Sequence, residues 1–391
     1  MKGKLFIFIL IALLGFIFTS SAWSMAAKPQ GPKKYIRVQV GENKSHIDLL
    51  LKGNYKIMAL HTNKLLAQGT NLETIVYPTY SGLRFKDEEF KIFGVRVRTE
   101  DDASIIIDGR KFRGLIDIIR DSNLTLLVVN HVDVEEYLCG VLYHEVSHLW
   151  PYEALKAQAI ASRTFALYQH KENKDKDYDL TNTSFSQVYG GATSEKYRTN
   201  RAVIATYGEV LTYKDKIFPT YYHAACGGHT QDASRLWDID LPPLKGIKCN
   251  YCKISPYYSW TKKIPLVFIQ KKLNSSGLSV GKIYSIEASG YDRSGRVINL
   301  NIINSEGNTT VSAYRFRIRI GTVRLRSTKF KVEVKNDTAF FYGQGWGHGV
   351  GLCQWGAMYM ALKGFNKEEI LNFYYPHTEI KNIWAKDDNP E

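Results

Sequence analysis

From Tyr35 onward, apolar and polar residues alternate. Ile36, Val38 and Val40 are separated by Arg37 and Gln39, and residues 95–98, 104–107 and 124–129 are similarly strand-like and rich in β-branched residues. Turns such as Asp108-Gly109 separate these runs. The pattern predicts a β-rich domain over residues 35–130. The period then lengthens, and residues 132–143 read as a helix. Pro151, well suited to a first helical position, opens a second helix containing Ala154, Ala157, Ala159, Ala161 and Ala166, with Ser147 as a nearby candidate cap. So many alanines point to close helix packing. A charged linker is expected at 171–179 and a further helix at 367–373, after Gly364. No internal repeat is visible. The reading is an α+β fold, a β-rich N-terminal part followed by a mixed helical and strand part over 131–391.

The first 26 residues follow another rule. Lys2 and Lys4 precede an apolar run to Phe18, and small residues such as Ser20, Ser21 and Ala22 follow. That is the layout of a secretory signal, with cleavage after Ala22 or Ala26 fitting equally; an uncleaved anchor is the alternative. Either way the folded part is expected outside the cytoplasm, secreted or anchored at the cell envelope. Residues 26–34 read as a tether.

The whole chain has 391 residues, enough for two or three domains, and 44% of them are hydrophobic, which excludes a disordered class. Its net charge of +14 implies an anionic partner. Outside the cytoplasm that partner is not expected to be nucleic acid; wall polymers or lipid headgroups are nearer. Five cysteines, an odd number, leave at least one outside any internal disulfide.

Three stretches carry candidate chemistry. In the first, Glu145 is followed by Val146, Leu149 and Trp150. A carboxyl beside apolar groups loses solvation, and its pKa rises toward the range of a general acid; the alternative is a solvated loop glutamate. In the second, Cys226 and His229 form one hook, and Cys249 and Cys252 another some twenty residues on. Two such hooks provide the four ligands of a tetrahedral structural zinc, with His223 as a spare ligand. A Cys249–Cys252 disulfide, or free thiols, are the alternatives. In the third, glycines punctuate residues 343–357 and permit close backbone approach around His348, Cys353 and Gln354. Cys353 is read as a small packed residue rather than a nucleophile, and Trp346 and Trp355 as either a sugar-stacking wall or core.

Together these blocks resemble the stage II sporulation protein D (SpoIID/LytB) family. The resemblance is carried by residues 129–141, Glu145, the Ala154-Leu155-Lys156-Ala157-Gln158-Ala159 run with Arg163, the Ser186-Gln187-Val188-Tyr189-Gly190-Gly191 block, the loop 223–230, and residues 345–357. It implies a peptidoglycan lytic transglycosylase that cuts between N-acetylmuramic acid and N-acetylglucosamine, on glycan strands freed of stem peptides, and it places Glu145 on the catalytic acid. Gln158, Arg163, Ser186, Gln187, Tyr189, His348 and Gln354 are then the candidate substrate-binding residues. Many relatives carry Ser at the position of Cys353, and the cysteine set is not shared by all of them, so zinc rests on spacing. The need for stripped glycan suggests that an N-acetylmuramoyl-L-alanine amidase acts first. The rivals are a non-catalytic amidase enhancer that binds the wall, a zinc amidase or peptidase, and a purely structural envelope protein.

Overall fold

A computed structural model describes residues 30–385 apart from 87, 101, 102, 184 and 185. The segment read as an export signal lies outside the described residues. The alternating region becomes one large sheet. Strand Tyr35–Lys44 pairs antiparallel with Leu126–Asp133, which pairs with Leu115–Arg120 and, through Gly94–Thr99, reaches the long hairpin Ile47–Ala59 and Leu65–Pro78. The period of two explains its core: Ile36, Val38, Ile47, Leu49, Val95, Val97, Ile116 and Ile118 are all buried.

The last of those central strands runs directly into helix α1 (Val134–Glu145). Asp133 caps it by accepting from the backbone N–H of Glu135 at 3.1 Å. Val146, in extended conformation, ends it. Helix α2 (Tyr152–Glu172) follows after a short turn, with Pro151 in the cap position. Ser147 does not cap α2; its hydroxyl accepts from the N–H of Leu149 within that turn.

Helix α2 explains its alanines. Leu155, Ala159, Phe165 and Ala166 join the core of the large sheet, whereas Ala157, Ile160 and Ala161 join a second core. A helix buried on both sides needs small residues to let its neighbours approach. The expected charged linker is in fact pinned. Lys171 and Glu172 complete α2, and buried Asp179 receives two hydrogen bonds from the Arg37 side chain.

Helix α3 (Tyr197–Ala205) packs on α1 and α2. Beyond it, two three-stranded sheets, helix α4 (Leu266–Asn274) and helix α5 (Ala313–Ile320) form a third region over residues 259–344, with its own core around Ile269, Leu300, Phe316 and Phe341. The sequence pattern did not separate this region. It lies in the chain between the two strands of a short parallel pair, Tyr222–His223 and Leu352–Cys353. Helices α6 (Gln354–Leu362) and α7 (Lys367–Tyr374) close the second core. The expected helix at 367–373 is α7, and the Asn366/Glu369 capping box fixes its start. No helix among the described residues is long and apolar enough to cross a membrane.

Candidate active site and cysteine cluster

Glu145 is the last residue of α1, and it lines a cleft of about 570 Å³. The walls come from segments far apart in sequence, including Phe165 and Gln169 of α2 and Trp237. Ser186 and Val188 form one side; Tyr221, Tyr222 and His223 form the floor; α5 contributes Tyr314 and Arg317; Trp346, His348 and Gln354 complete it. Among the described residues lining the cleft, Glu145 is the only carboxylate.

Burial pushes the Glu145 carboxyl up to about 7, and the hydrogen bonds it accepts from Val188 N–H and from the Gln354 and Tyr222 side chains only partly oppose that rise. The Val188 bond is 3.3 Å long. A helix C-terminus also disfavours negative charge. Of the neighbours expected to desolvate it, Val146 is buried in the core beside α1 but Leu149 is not. Leu149 is 70% exposed, and Trp150 packs edge-on against Trp355. Residues distant in the chain, Phe165, Val188, Tyr222 and Trp346 among them, line the cleft with it.

The other candidate binders divide. Ser186, His348 and Gln354 face the cleft with Glu145. Gln187 is fully buried behind it; its amide donates to the Tyr222 hydroxyl at 2.9 Å and its carbonyl accepts from Tyr137 at 2.9 Å. It positions Tyr222, which in turn bonds Glu145. Gln158 is likewise buried; it donates to Ser162, and its carbonyl faces the Gln354 amide at 3.4 Å. Two further candidates are also buried away from the surface of the site. Arg163 is fully buried and makes a two-pronged ion pair with Glu135 at 2.8 and 2.6 Å. Tyr189 is buried against Tyr137, with its hydroxyl donating to Asn130. Both are framework, because polar groups this deep must be satisfied internally.

The aromatic wall also differs from expectation. Trp346 lines the cleft, with the Arg326 guanidinium 5.1 Å from the centre of one of its rings, but Trp355 packs with Trp150 instead. Trp237, which the sequence did not single out, stacks on Tyr221 with ring centres 4.3 Å apart and lines the cleft. His223 is buried beside it; burial and nearby Arg296 push its pKa down to about 3, so it is neutral at ordinary pH. Gly347 sits at φ 116°, and a Cβ there would come within 2.6 Å of the His223 Cβ. That close approach is what the glycine-rich block provides.

The cysteines converge, but not in the expected set. The sulfurs of Cys226, Cys249, Cys252 and Cys353 all lie within 4.8 Å of one another, and all four residues are buried. His229 is not among them; its Nδ1 lies 2.6 Å from the carbonyl of Thr230. His223 is not among them either, since its Nδ1 faces the carbonyl of Val350 at 3.1 Å. Cys353, taken for a packing residue, is the fourth member. The parallel strand pair, joining His223 to Cys353 across the chain, is what brings it there. No local spacing encodes that contact.

A family profile described as Stage II sporulation protein matches residues 122–213, and one described as Domain of unknown function (DUF8618) matches residues 248–351. An uncharacterized protein of Brachyspira hyodysenteriae is 33% identical over 88% of this chain and 92% of its own length. Stage II sporulation protein D of Bacillus subtilis is 31% identical over 69% of this chain and 80% of its own length. The amidase enhancer of the same organism is 27% identical over 75% of this chain but only 48% of its own.

Proposed function

Because the chain belongs to the stage II sporulation protein D family, we propose that it works on the cell wall as a lytic transglycosylase. On this reading it acts outside the cytoplasm, and its substrate is a peptidoglycan glycan strand, preferably stripped of stem peptides. The observation that carries the reading is a lone carboxyl in a cleft, raised to about 7 and framed by hydrogen-bonding and aromatic groups. A hydrolase generally sets two carboxylates across the scissile bond. An intramolecular transfer needs one.

Glu145, protonated, donates to the glycosidic oxygen as the bond to C1 of the muramic acid breaks. The ring takes on oxocarbenium character. The C6 hydroxyl of the same sugar then attacks C1 and gives its proton to the Glu145 carboxylate. The acid is regenerated, no water is consumed, and the product carries a 1,6-anhydro end. A group that serves first as acid and then as base works best with a pKa near the working pH. Tyr222 and Gln354 hold the carboxylate between the two steps, while Gln187 and Gln158 hold them in turn. Ser186, His348, Trp237 and Trp346, which line the cleft, are read as bonding or stacking on the sugars.

The four-cysteine cluster is read as a structural metal site bracing this wall, and zinc suits such a ligand set. The chain's net charge favours retention on an anionic wall.

The test is mass spectrometry of products from peptidoglycan lacking stem peptides, treated with wild-type protein or Glu145→Gln. New 1,6-anhydromuramic ends that disappear with the variant are expected. Reducing ends would mean hydrolysis and a second carboxylate. The relative named amidase enhancer supports a second reading, a wall-binding activator of an amidase. That reading predicts no cleavage by either protein, together with faster stem-peptide release when an N-acetylmuramoyl-L-alanine amidase is added.

A further inference from the structure

Arg296 lies behind the cleft wall, 1% exposed, and reaches the cysteine cluster from the region between the two parallel strands. One of its terminal nitrogens, Nη2, donates to the carbonyl of Cys226 at 3.1 Å. Its Nε and Nη1 are buried and have no hydrogen-bond partner among the described residues. Gly349, at φ 93°, makes room for it; a Cβ there would come within 2.2 Å of Nη2. No carboxylate pairs with this guanidinium among the described residues. Asp292, four residues earlier, uses its oxygens on Gln231, Ser294 and the backbone N–H of Arg296. A second cation converges on the same loop: the Lys329 ammonium donates to the carbonyl of Gly227 at 2.7 Å.

A buried guanidinium with two unused donors requires negative charge nearby. The cysteine cluster is where that charge can reside. Four neutral thiols, or two disulfides, would supply none. A divalent ion held by four thiolates carries a net charge of −2, because four protons leave and two positive charges arrive. The geometry of the ligands agrees. Cys353 occupies the cap position of α6, where the helix N-terminus favours a thiolate. Its sulfur also accepts from the backbone N–H of Cys226 at 3.3 Å.

We propose that Cys226, Cys249, Cys252 and Cys353 form an anionic tetrathiolate zinc centre whose charge is balanced by buried Arg296, with Lys329 as a second, outer cation. The proposal deepens the reading of the cluster as a metal site and is independent of the transglycosylase assignment. It replaces the two-histidine candidates with Cys353, and it excludes a resident Cys249–Cys252 disulfide. The centre clamps three segments, and the residue after Cys353 is Gln354, which bonds Glu145.

The experiment uses the full mature chain, purified without added chelator. Elemental analysis should give one zinc per chain, and X-ray absorption should show four sulfurs at about 2.3 Å. Three sulfurs with one nitrogen, or a denatured mass lower by two hydrogens per bridge with no metal, would overturn the ligand set. His229→Ala should retain full zinc. Loss of zinc in that variant would contradict the assignment. Arg296→Met, close in volume but uncharged, should lose zinc to a chromogenic chelator at least tenfold more readily, as expected for loss of an outer partner. Equal retention would remove the charge-balance role. If Arg296→Met fails to fold, Lys329→Met carries the same test from the half-buried side, with a smaller expected fold-change, and retention equal to wild type would again remove that role. Each readout is metal content or sulfur coordination, so failure here is distinct from absence of glycan cleavage.

Discussion

Helix α1 carries a glutamate at each end, and the two have opposite surroundings. At its start, Glu135 is fully buried and answered on every side: Arg163 grips it with two hydrogen bonds, and the backbone N–H of Gly208 donates to it at 3.0 Å. At its end, Glu145 opens onto the cleft, receives only neutral hydrogen bonds, and is held near 7 by burial. One carboxylate is paired with Arg163, which also bonds the Val203 carbonyl, so the pair ties α1, α2 and α3 together. The other is left without a cation, so that its proton is exchangeable. The same side chain meets opposite electrostatics according to whether a guanidinium bonds it.

The sharpest break in that contrast is Glu145→Gln. Loss of a general acid–base group should lower anhydro-end formation by about 10²- to 10⁴-fold, read by mass spectrometry, while the fold persists. Next comes Arg163→Met, which strands the Glu135 charge and should cost about 3–5 kcal/mol of stability in denaturant unfolding. Removing both partners, as in Glu135→Leu with Arg163→Met, should recover most of that loss, since the penalty lies in the unpaired ion. On the reading of the cysteine cluster as a metal site, chelation should lower the melting temperature and cleavage together, because the cluster adjoins Gln354; melting followed with and without chelator checks it.

Smaller effects concern pH. The unfolded Glu145 titrates near 4.5 and the folded one near 7, so the folded protein binds the extra proton between those values. Its contribution to stability is full below about 4.5 and is lost as pH rises through about 7. Glu145→Gln should therefore melt higher relative to wild type at pH 8 than at pH 5. If protonated Glu145 is the acid, kcat/KM should fall about tenfold per pH unit above 7. Gln354→Leu removes a bond that favours the charged form, so the alkaline limb of that profile should move up by a fraction of a unit. A limb that does not move would mean Gln354 serves the substrate and not the carboxyl.

Much of the architecture was legible in the chain. Alternation at Ile36, Val38 and Val40 announced the large sheet, and the alanines of α2 announced close helix packing, which the fold turns into burial on both sides. Glu145 stood out in sequence, but only part of its setting is local: Val146 is buried, Leu149 is exposed, and the partners that bond the carboxyl, at 188, 222 and 354, are distant in the chain. The paired hooks located three cysteines correctly and substituted His229 for Cys353. Trp237 carried no local signal at all. Arg163 looked available because an arginine on a helix has no visible partner until another helix supplies one.

The sequence by itself determined the strands of the large sheet and helices α1, α2 and α7, because strand alternation, helix caps and alanine packing act over a few residues. It also singled out the cysteine pair at 249 and 252 and the glutamate at 145, because each stands in a short, distinctive motif. Tertiary structure alone decided which charge is paired and which is free, and which fourth sulfur completes the cluster. Those outcomes depend on burial and on partners tens to hundreds of residues away. A pKa or a ligand shell is set by what surrounds an atom in space, and only the closed fold specifies those surroundings.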